Sequence, residues 1–128
     1  MLRAARDLGG LYEGRRPEFV DEIDCARGDL VHEIDCWVAA EMPLPVSAAS
    51  MHTETLGMVV DRLARYSVDA YVALAAGLPE WRLHHAWKRL AELSIGYADL
   101  SSEIGCRTRR LPDLSLFEPR GEWGRAAE

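Results

Sequence analysis

Residues 55–77, TLGMVVDRLARYSVDAYVALAAG, decide the fold of this chain. Apolar residues recur along them every three or four positions, which is the spacing of a helix with one buried face. Thr53 or Thr55 is suited to cap the first turn, and Gly77-Leu78-Pro79 ends the helix with glycine at its usual C-terminal position. We therefore predict an amphipathic helix over about residues 55–76. Its apolar stripe consists of Leu56, Val59, Val60, Leu63, Tyr66, Ala70, Tyr71 and Leu74.

Two further long helices flank this one in the sequence. The first covers about residues 18–41 and ends at Met42-Pro43, since a proline keeps the residue before it out of the helical region. The second begins at Pro79 or Glu80 and runs to about Ile104, where Gly105 closes it. Each has an apolar stripe, formed by Phe19, Ile23, Ala26, Leu30, Ile34, Trp37 and Val38 in the first, and by Leu83, Ala86, Trp87, Leu90, Leu93, Tyr97, Leu100 and Ile104 in the second.

The two ends of the chain have weaker patterns. Residues 1–14 indicate a short or frayed helix, and residues 112–128 contain two prolines and two glycines without helical periodicity. Because the loops between the long helices are short, consecutive helices should be antiparallel neighbours. We predict an all-α fold, an antiparallel bundle of three long helices plus a short N-terminal helix over residues 1–111. An irregular C-terminal tail over residues 112–128 should follow it.

The composition is that of a globular protein and excludes several classes. The chain has 128 residues, of which 48% are hydrophobic and 28% are charged, enough for one core. It has no apolar run of about 18 residues that would span a bilayer, and its first residues lack the apolar segment of a secretion signal. We expect a cytoplasmic protein without membrane contact. The net charge of −6, with dispersed basic residues, argues against binding to nucleic acid.

The cysteines and histidines do not form a recognisable metal or redox motif. Cys25, Cys36 and Cys106 are widely spaced and odd in number, which argues against a disulfide framework, and we expect Cys25 and Cys36 to be half-buried. Asp29-x-x-His32 is the nearest approach to a carboxylate–histidine metal motif, but His32 should point away from the buried stripe. No phosphate-binding loop, dinucleotide fingerprint or nucleophile elbow occurs. We predict no metal and no cofactor.

A few polar residues stand where they could support chemistry. Arg27 lies inside the apolar stripe of its helix, so it must reach the surface, pair with an acid such as Asp61 or Glu54, or bind an anion. His52 and Glu54 lie where a loop enters a helix, where exposed amides attract anions and a histidine beside a carboxylate can relay protons. Plain capping with a packed histidine is the alternative. Gly57, in the first turn, would let another backbone or a ligand come close.

Three stretches together resemble a known family. They are VDEIDCARGDLVHEIDCWV at residues 20–38, HTETLGMVVDRLA at residues 52–64 and HAWKRLAEL at residues 85–93. In this order the chain resembles the short actinobacterial branch of the bacterial family called "domain of unknown function 4254", over about residues 11–112. The resemblance implies an α-helical fold. The positions that match the family's polar pattern are Arg27, Asp35, His52, Glu54, Asp61 and Arg62.

The resemblance also implies a role beside specialised-metabolite genes. We expect a small helical subunit of a two-component enzyme in antibiotic biosynthesis, of which two-protein aziridine-forming enzymes are an example. The partner would be a larger subunit, and Trp81, Phe117 and Trp123 are candidate anchors for it. The alternatives are a non-catalytic homodimeric interaction or regulatory module, and a stand-alone metal or acid–base enzyme.

The functional hypothesis requires Arg27, His52, Glu54 and Asp61 to converge into one polar pocket. In it, a small anionic substrate would be held by basic side chains beside acid–base groups. The residues assigned to the site are, as catalytic groups, His52, Glu54 and Asp61, and, as substrate-binding groups, Arg27, Arg62 and Asp35.

Overall fold

The computed structural model describes residues 2–13 and 20–113, which contain four helices and two very short strands. The helices are α1 (Leu2–Glu13), α2 (Val20–Glu41), α3 (Leu56–Ala75) and α4 (Glu80–Gly105), and the strands are β1 (Ser50–Met51) and β2 (Arg109–Arg110). The predicted all-α fold of three long helices and a short one is confirmed. Most of the predicted tail, residues 114–128, lies outside the described residues, and so do Phe117 and Trp123.

The third helix is the centre of the bundle. It packs against α1, α2 and α4, and α1 also packs against α2, whereas the backbone of α4 comes close to no described helix other than α3. The core therefore lies where α3 begins and α4 ends. Its buried residues are Ala4, Leu8, Ile34, Val38, Leu56, Val59, Val60, Leu100 and Ile104.

The opposite end of the α3–α4 hairpin is poorly covered. The apolar stripe of α4 follows an alternating spacing of three and four residues, which is the heptad pattern of helices that pack along a shared seam. Only its last two members, Leu100 and Ile104, are buried. On α3, Tyr71 and Leu74 are 60% and 54% exposed, and Trp81 at the start of α4 is 68% exposed. We call residues 71–90 the hairpin tip.

Capping at both ends of the α3–α4 hairpin follows the sequence in part. Thr55 caps α3, since its hydroxyl accepts a hydrogen bond from the Met58 amide at 3.2 Å. Gly77 adopts the left-handed conformation (φ 60°) that favours glycine. The expectation that Gly105 closes α4 is wrong: Gly105 is its last helical residue, and Arg107 takes the left-handed turn with φ 66°.

A parallel pair of two-residue strands, which the sequence did not predict, joins the loop before α3 to the end of α4. Ser50 pairs with Arg109 and Met51 with Arg110. The Val46 amide also donates to the Arg107 carbonyl at 3.0 Å, and the His52 amide to the Arg110 carbonyl at 2.7 Å. The polar loop that precedes α3 is thereby fixed against the segment that follows α4.

The surface differs from expectation at the cysteines. Cys25, Cys36 and Cys106 are all exposed free thiols, so the expectation that Cys25 and Cys36 are half-buried is wrong. Both lie on α2. His32 is exposed there too, as expected, and its Nε2 is 3.4 Å from the Cys36 sulfur. Over the described ranges, no helix is long and apolar enough to cross a bilayer.

Candidate functional site

The first polar cluster joins three helices around the carboxylate of Asp61. The Arg27 guanidinium donates from Nη2 to Asp61 Oδ2 at 2.9 Å and from Nε to Oδ1 at 3.1 Å. The Tyr12 hydroxyl donates to the same Oδ1 at 2.8 Å, and Arg27 Nη1 reaches Asp24 Oδ1 at 2.9 Å. Of the two acids that the sequence suggested as partners of Arg27, Asp61 and Glu54, it is therefore Asp61 that binds it.

The contacts in this cluster raise the pKa values of Arg27 and Tyr12. The hydrogen bond to Asp61 is the main cause that raises the pKa of Arg27, so its cation is held firmly. Burial, followed by the hydrogen bond to the Asp61 carboxylate, raises the pKa of Tyr12 to about 12. The Arg27 guanidinium also lies over the Tyr12 ring, 5.4 Å from its centroid. An anionic substrate would have to displace Asp61 before it could bind Arg27 in the same way.

The pKa of Tyr12 leads to a test at alkaline pH. The pKa is 10.0 when unperturbed and about 12 in the folded chain, so the folded state holds this proton more tightly. The stabilisation is complete below about pH 10 and is lost as the pH rises towards about 12. We expect the urea midpoint of the wild type to fall relative to that of Tyr12→Phe as the pH rises from about 10 to about 11.5. Parallel pH profiles would show that the hydroxyl has no such role.

The second cluster lies where the loop enters α3. The Glu54 carboxylate pairs with the guanidinium of Arg62, which lies eight residues further along the chain. His52 Nδ1 accepts a hydrogen bond from the Glu54 amide at 3.2 Å and lies 3.0 Å from the Glu54 carbonyl oxygen. Throughout residues 2–13 and 20–113, no hydrogen bond joins the His52 imidazole to a carboxylate. The proton relay expected between His52 and Glu54 is therefore not assembled by these contacts.

The closest approach of α2 to α3 is at Gly57. Its amide donates to Asp35 Oδ1 at 2.7 Å, so a carboxylate from α2 meets the positive end of the α3 dipole. A Cβ at position 57 would lie 2.5 Å from the Val31 carbonyl oxygen and 2.8 Å from Asp35 Oδ1. Gly57 thus lets another backbone come close, as the sequence suggested, and that backbone belongs to α2.

The predicted site residues all surround the first half of α3 but divide into separate groups. Asp61 pairs with Arg27, Arg62 pairs with Glu54, and Asp35 binds the Gly57 amide. No ion pair or hydrogen bond within the described ranges links one group to another. Sequence reasoning missed Tyr12, because a tyrosine in an apolar stripe does not reveal where its hydroxyl points. Nor do the described residues include three metal-ligating side chains grouped around one point.

An open apolar groove runs between α1 and α4, with α3 as its floor. It has a volume of about 380 Å³, and among the described residues no charged side chain lines it. Leu2 on its α1 side is 85% exposed. The lining residues are Leu2, Ala5, Val60, Leu63, Ala64, Ser67, Leu90 and Tyr97. The groove is therefore an apolar surface that is open to solvent.

Comparisons with known proteins identify one relationship. A family model described as "Protein of unknown function (DUF4254)" matches residues 15–112. No curated protein and no solved structure gives a significant match to the chain. The matched range includes Arg27 and Asp61. It begins after α1, the helix that supplies Tyr12 to their cluster.

Proposed function

This chain belongs to the family described as "Protein of unknown function (DUF4254)", and from that premise we propose that it is the small helical subunit of a two-component enzyme. We propose that a helix of a larger subunit binds the groove and the hairpin tip. The proposed setting is antibiotic biosynthesis in an actinobacterial cytoplasm, with aziridine-forming enzymes as one example. The observation that carries the proposal is the uncovered apolar surface along α3 and α4.

The size and position of this surface support binding to a protein. Leu2, Tyr71, Leu74 and Trp81 are each more than half exposed and lie along the groove or at the tip. Contiguous apolar surface of this kind marks interaction sites in soluble proteins. Moreover, α4 has a heptad stripe but only one neighbouring helix among the described residues, and such a stripe is normally covered on both sides in a bundle.

The internal pairing of the polar residues supports the part of the proposal that gives this chain a supporting role. Arg27 and Asp61 satisfy each other, and so do Arg62 and Glu54. Of the groups predicted to be catalytic, the His52 imidazole keeps one ring nitrogen, Nε2, without a partner among the described residues. In the proposed complex, His52 is this chain's contribution to a shared site, and the partner supplies the remaining reactive groups.

Co-expression tests the proposal directly. The chain would be produced with the products of its neighbouring genes, and each mixture would be analysed by size-exclusion chromatography with light scattering. We expect one neighbour to co-elute with the 14.3 kDa chain in a stable complex. If the chain elutes alone in the presence of every neighbouring gene product, the proposal is wrong.

Substitutions at the tip separate docking from folding. Leu74 lies seven residues beyond Ser67, on the groove face of α3, whereas Val72 lies about 160° around the helix from Leu74. The two side chains are 54% and 58% exposed, so aspartate at either position should change stability by only about 0.5 kcal/mol. We expect Leu74→Asp to abolish the complex in the co-elution assay and Val72→Asp to leave it intact. Equal effects of the two changes would place the interface elsewhere.

The heptad spacing of α4 also favours a second candidate, the non-catalytic homodimer. Two α3–α4 hairpins could cover each other's stripes in a four-helix bundle. Light scattering on the purified chain alone distinguishes the candidates, because a homodimer has twice the mass of 14.3 kDa. A dimer that dissociates on Leu74→Asp, with no neighbour bound, would establish this candidate in place of the first.

A further inference from the structure

A second cavity lies at the base of the bundle, where α2 and α4 end and α3 begins. It has a volume of about 330 Å³ and is enclosed by the end of α2, the loop after it and the segment that follows α4. Binding sites for small molecules in proteins generally begin at about this size. None of the residues that line the groove lines this cavity, so the inference below does not depend on the proposed partner.

One wall of the cavity is apolar and belongs to the core. Val38 and Ile104 are 7% and 5% exposed, and both line it. Met42 and Leu111 also line it and pack against the core. Because these four side chains are fixed by the core, the wall is preformed and would favour the hydrocarbon part of a ligand.

The other side of the cavity carries two adjacent arginines from β2. Arg109 and Arg110 both line it, and so do two acids, Asp35 and Asp113. Asp35 accepts the Gly57 amide, and Asp113 has a partner of its own, so neither acid neutralises the arginines by a described ion pair. Arg109 donates from Nε to Glu103 Oε2 at 2.7 Å, which leaves its two terminal nitrogens without a partner among the described residues. Arg110 Nη2 makes only long contacts, 3.4 Å to the Val46 carbonyl and 3.3 Å to that of Ser47.

Arg110 also has an unsatisfied donor. Its Nε is buried and has no hydrogen-bond partner among the described residues. A buried N–H of a charged group without an acceptor destabilises the structure. Because this Nε is closed to solvent, an anion in the cavity would meet the terminal nitrogens of the Arg110 guanidinium. A carboxylate suits a guanidinium best, since its two oxygens match neighbouring N–H groups.

We propose that this cavity binds a small organic carboxylate with an apolar body. The carboxylate accepts hydrogen bonds from the Arg110 and Arg109 guanidinium groups, and the body lies against Val38, Ile104 and Leu111. The apolar wall distinguishes such a ligand from inorganic phosphate, which would meet only the arginines.

A pair of probes of matched shape tests this requirement. The full chain, labelled with ¹⁵N, would be titrated with 4-phenylbutyrate, with 4-phenylbutan-1-ol and with inorganic phosphate, and amide shifts would be followed by NMR. We expect saturable binding of 4-phenylbutyrate, with shifts at Ile104 and Leu111, and about tenfold weaker binding of the alcohol, since a hydrogen bond to a charged group is worth at least that factor. Phosphate should also bind more weakly than the acid. Absence of saturable binding by the acid, or equal binding of acid and alcohol, would overturn the proposal.

Substitutions then assign the binding to Arg110. Arg110→Met should weaken binding of 4-phenylbutyrate by about tenfold or more, and Arg110→Lys should have an intermediate effect because it keeps the charge but loses the planar pair of terminal donors. Arg3→Met is the matched control: it makes the same change of charge at a side chain that is 91% exposed on α1, and it should bind like the wild type. If Arg110→Met does not fold, Arg110→Lys and the two probes still decide the matter. Unchanged affinity in a folded Arg110 variant contradicts the assignment.

Discussion

Replacement of Gly57 by alanine should destabilise the chain by about 3 kcal/mol, because the added methyl group has no room between α2 and α3. The new Cβ would lie 2.5 Å from the Val31 carbonyl oxygen, and real Cβ atoms do not approach an oxygen so closely. That oxygen is part of the α2 backbone, so only a shift of the whole helix can relieve the contact. The shift would also break the 2.7 Å hydrogen bond from the Gly57 amide to Asp35.

Urea unfolding followed by circular dichroism measures this effect, and Gly96→Ala is its control. A Cβ at position 96, in the middle of α4, meets no other atom within 4 Å. Alanine there should stabilise the chain by up to about 1 kcal/mol, because alanine forms helix better than glycine. If the two substitutions shift the midpoint in the same direction and by similar amounts, the close approach at Gly57 is not a constraint on the fold.

Removal of the Asp61 carboxylate should have an effect of similar size. Asp61→Ala leaves the Arg27 cation without its bidentate partner and the Tyr12 hydroxyl without its acceptor. The Asp61 side chain is only 13% exposed and that of Arg27 is 32% exposed, so water compensates poorly. We expect a loss of about 3 kcal/mol in the free energy of unfolding, the lower end of the range for a broken buried ion pair.

A double substitution shows whether the unpaired charge causes that loss. Arg27→Met should recover part of the stability when it is added to Asp61→Ala, because it removes a cation that has lost its buried partner and keeps only the more exposed Asp24. The control is Asp69→Ala, on the same helix as Asp61. It breaks an exposed ion pair with Arg89 of α4 and should cost less than about 1 kcal/mol. Strictly additive losses at Arg27 and Asp61 would mean that the pair is not coupled and that Arg27 is available to a ligand.

These two sites show how far sequence reasoning reached. A cation in the apolar stripe of α2 has few ways to be satisfied, so the sequence restricts the partner of Arg27 to nearby acids. The choice of Asp61 over Glu54 depends on the rotation of α3 about its own axis, which local spacing does not encode. The part played by Tyr12 depends on where α1 packs, and that is a property of the folded chain alone.

The sequence could not predict the two strands or the exposure of α4. A strand of two residues, such as β1 or β2, leaves no periodicity that could be recognised. The spacing of α4 predicts one apolar face along its whole length, but not whether the chain itself or another molecule covers it. Among the described residues α3 alone covers that face, so its first half stays half-exposed.

The strand pair has a mechanical consequence for the α3–α4 hairpin. Backbone hydrogen bonds from β1 and its neighbours fasten the entry of α3 to the exit of α4, while the far end has no such fastening in the part of the chain that the structure describes. The hairpin is therefore fastened at one end only, and its other end lies about 30 Å away, given the rise of 1.5 Å per helical residue. A rotation of a few degrees at the strand pair displaces the far end of the hairpin most. Side chains at the hairpin tip can thus adjust to a binding partner while the strand pair and the core keep their geometry.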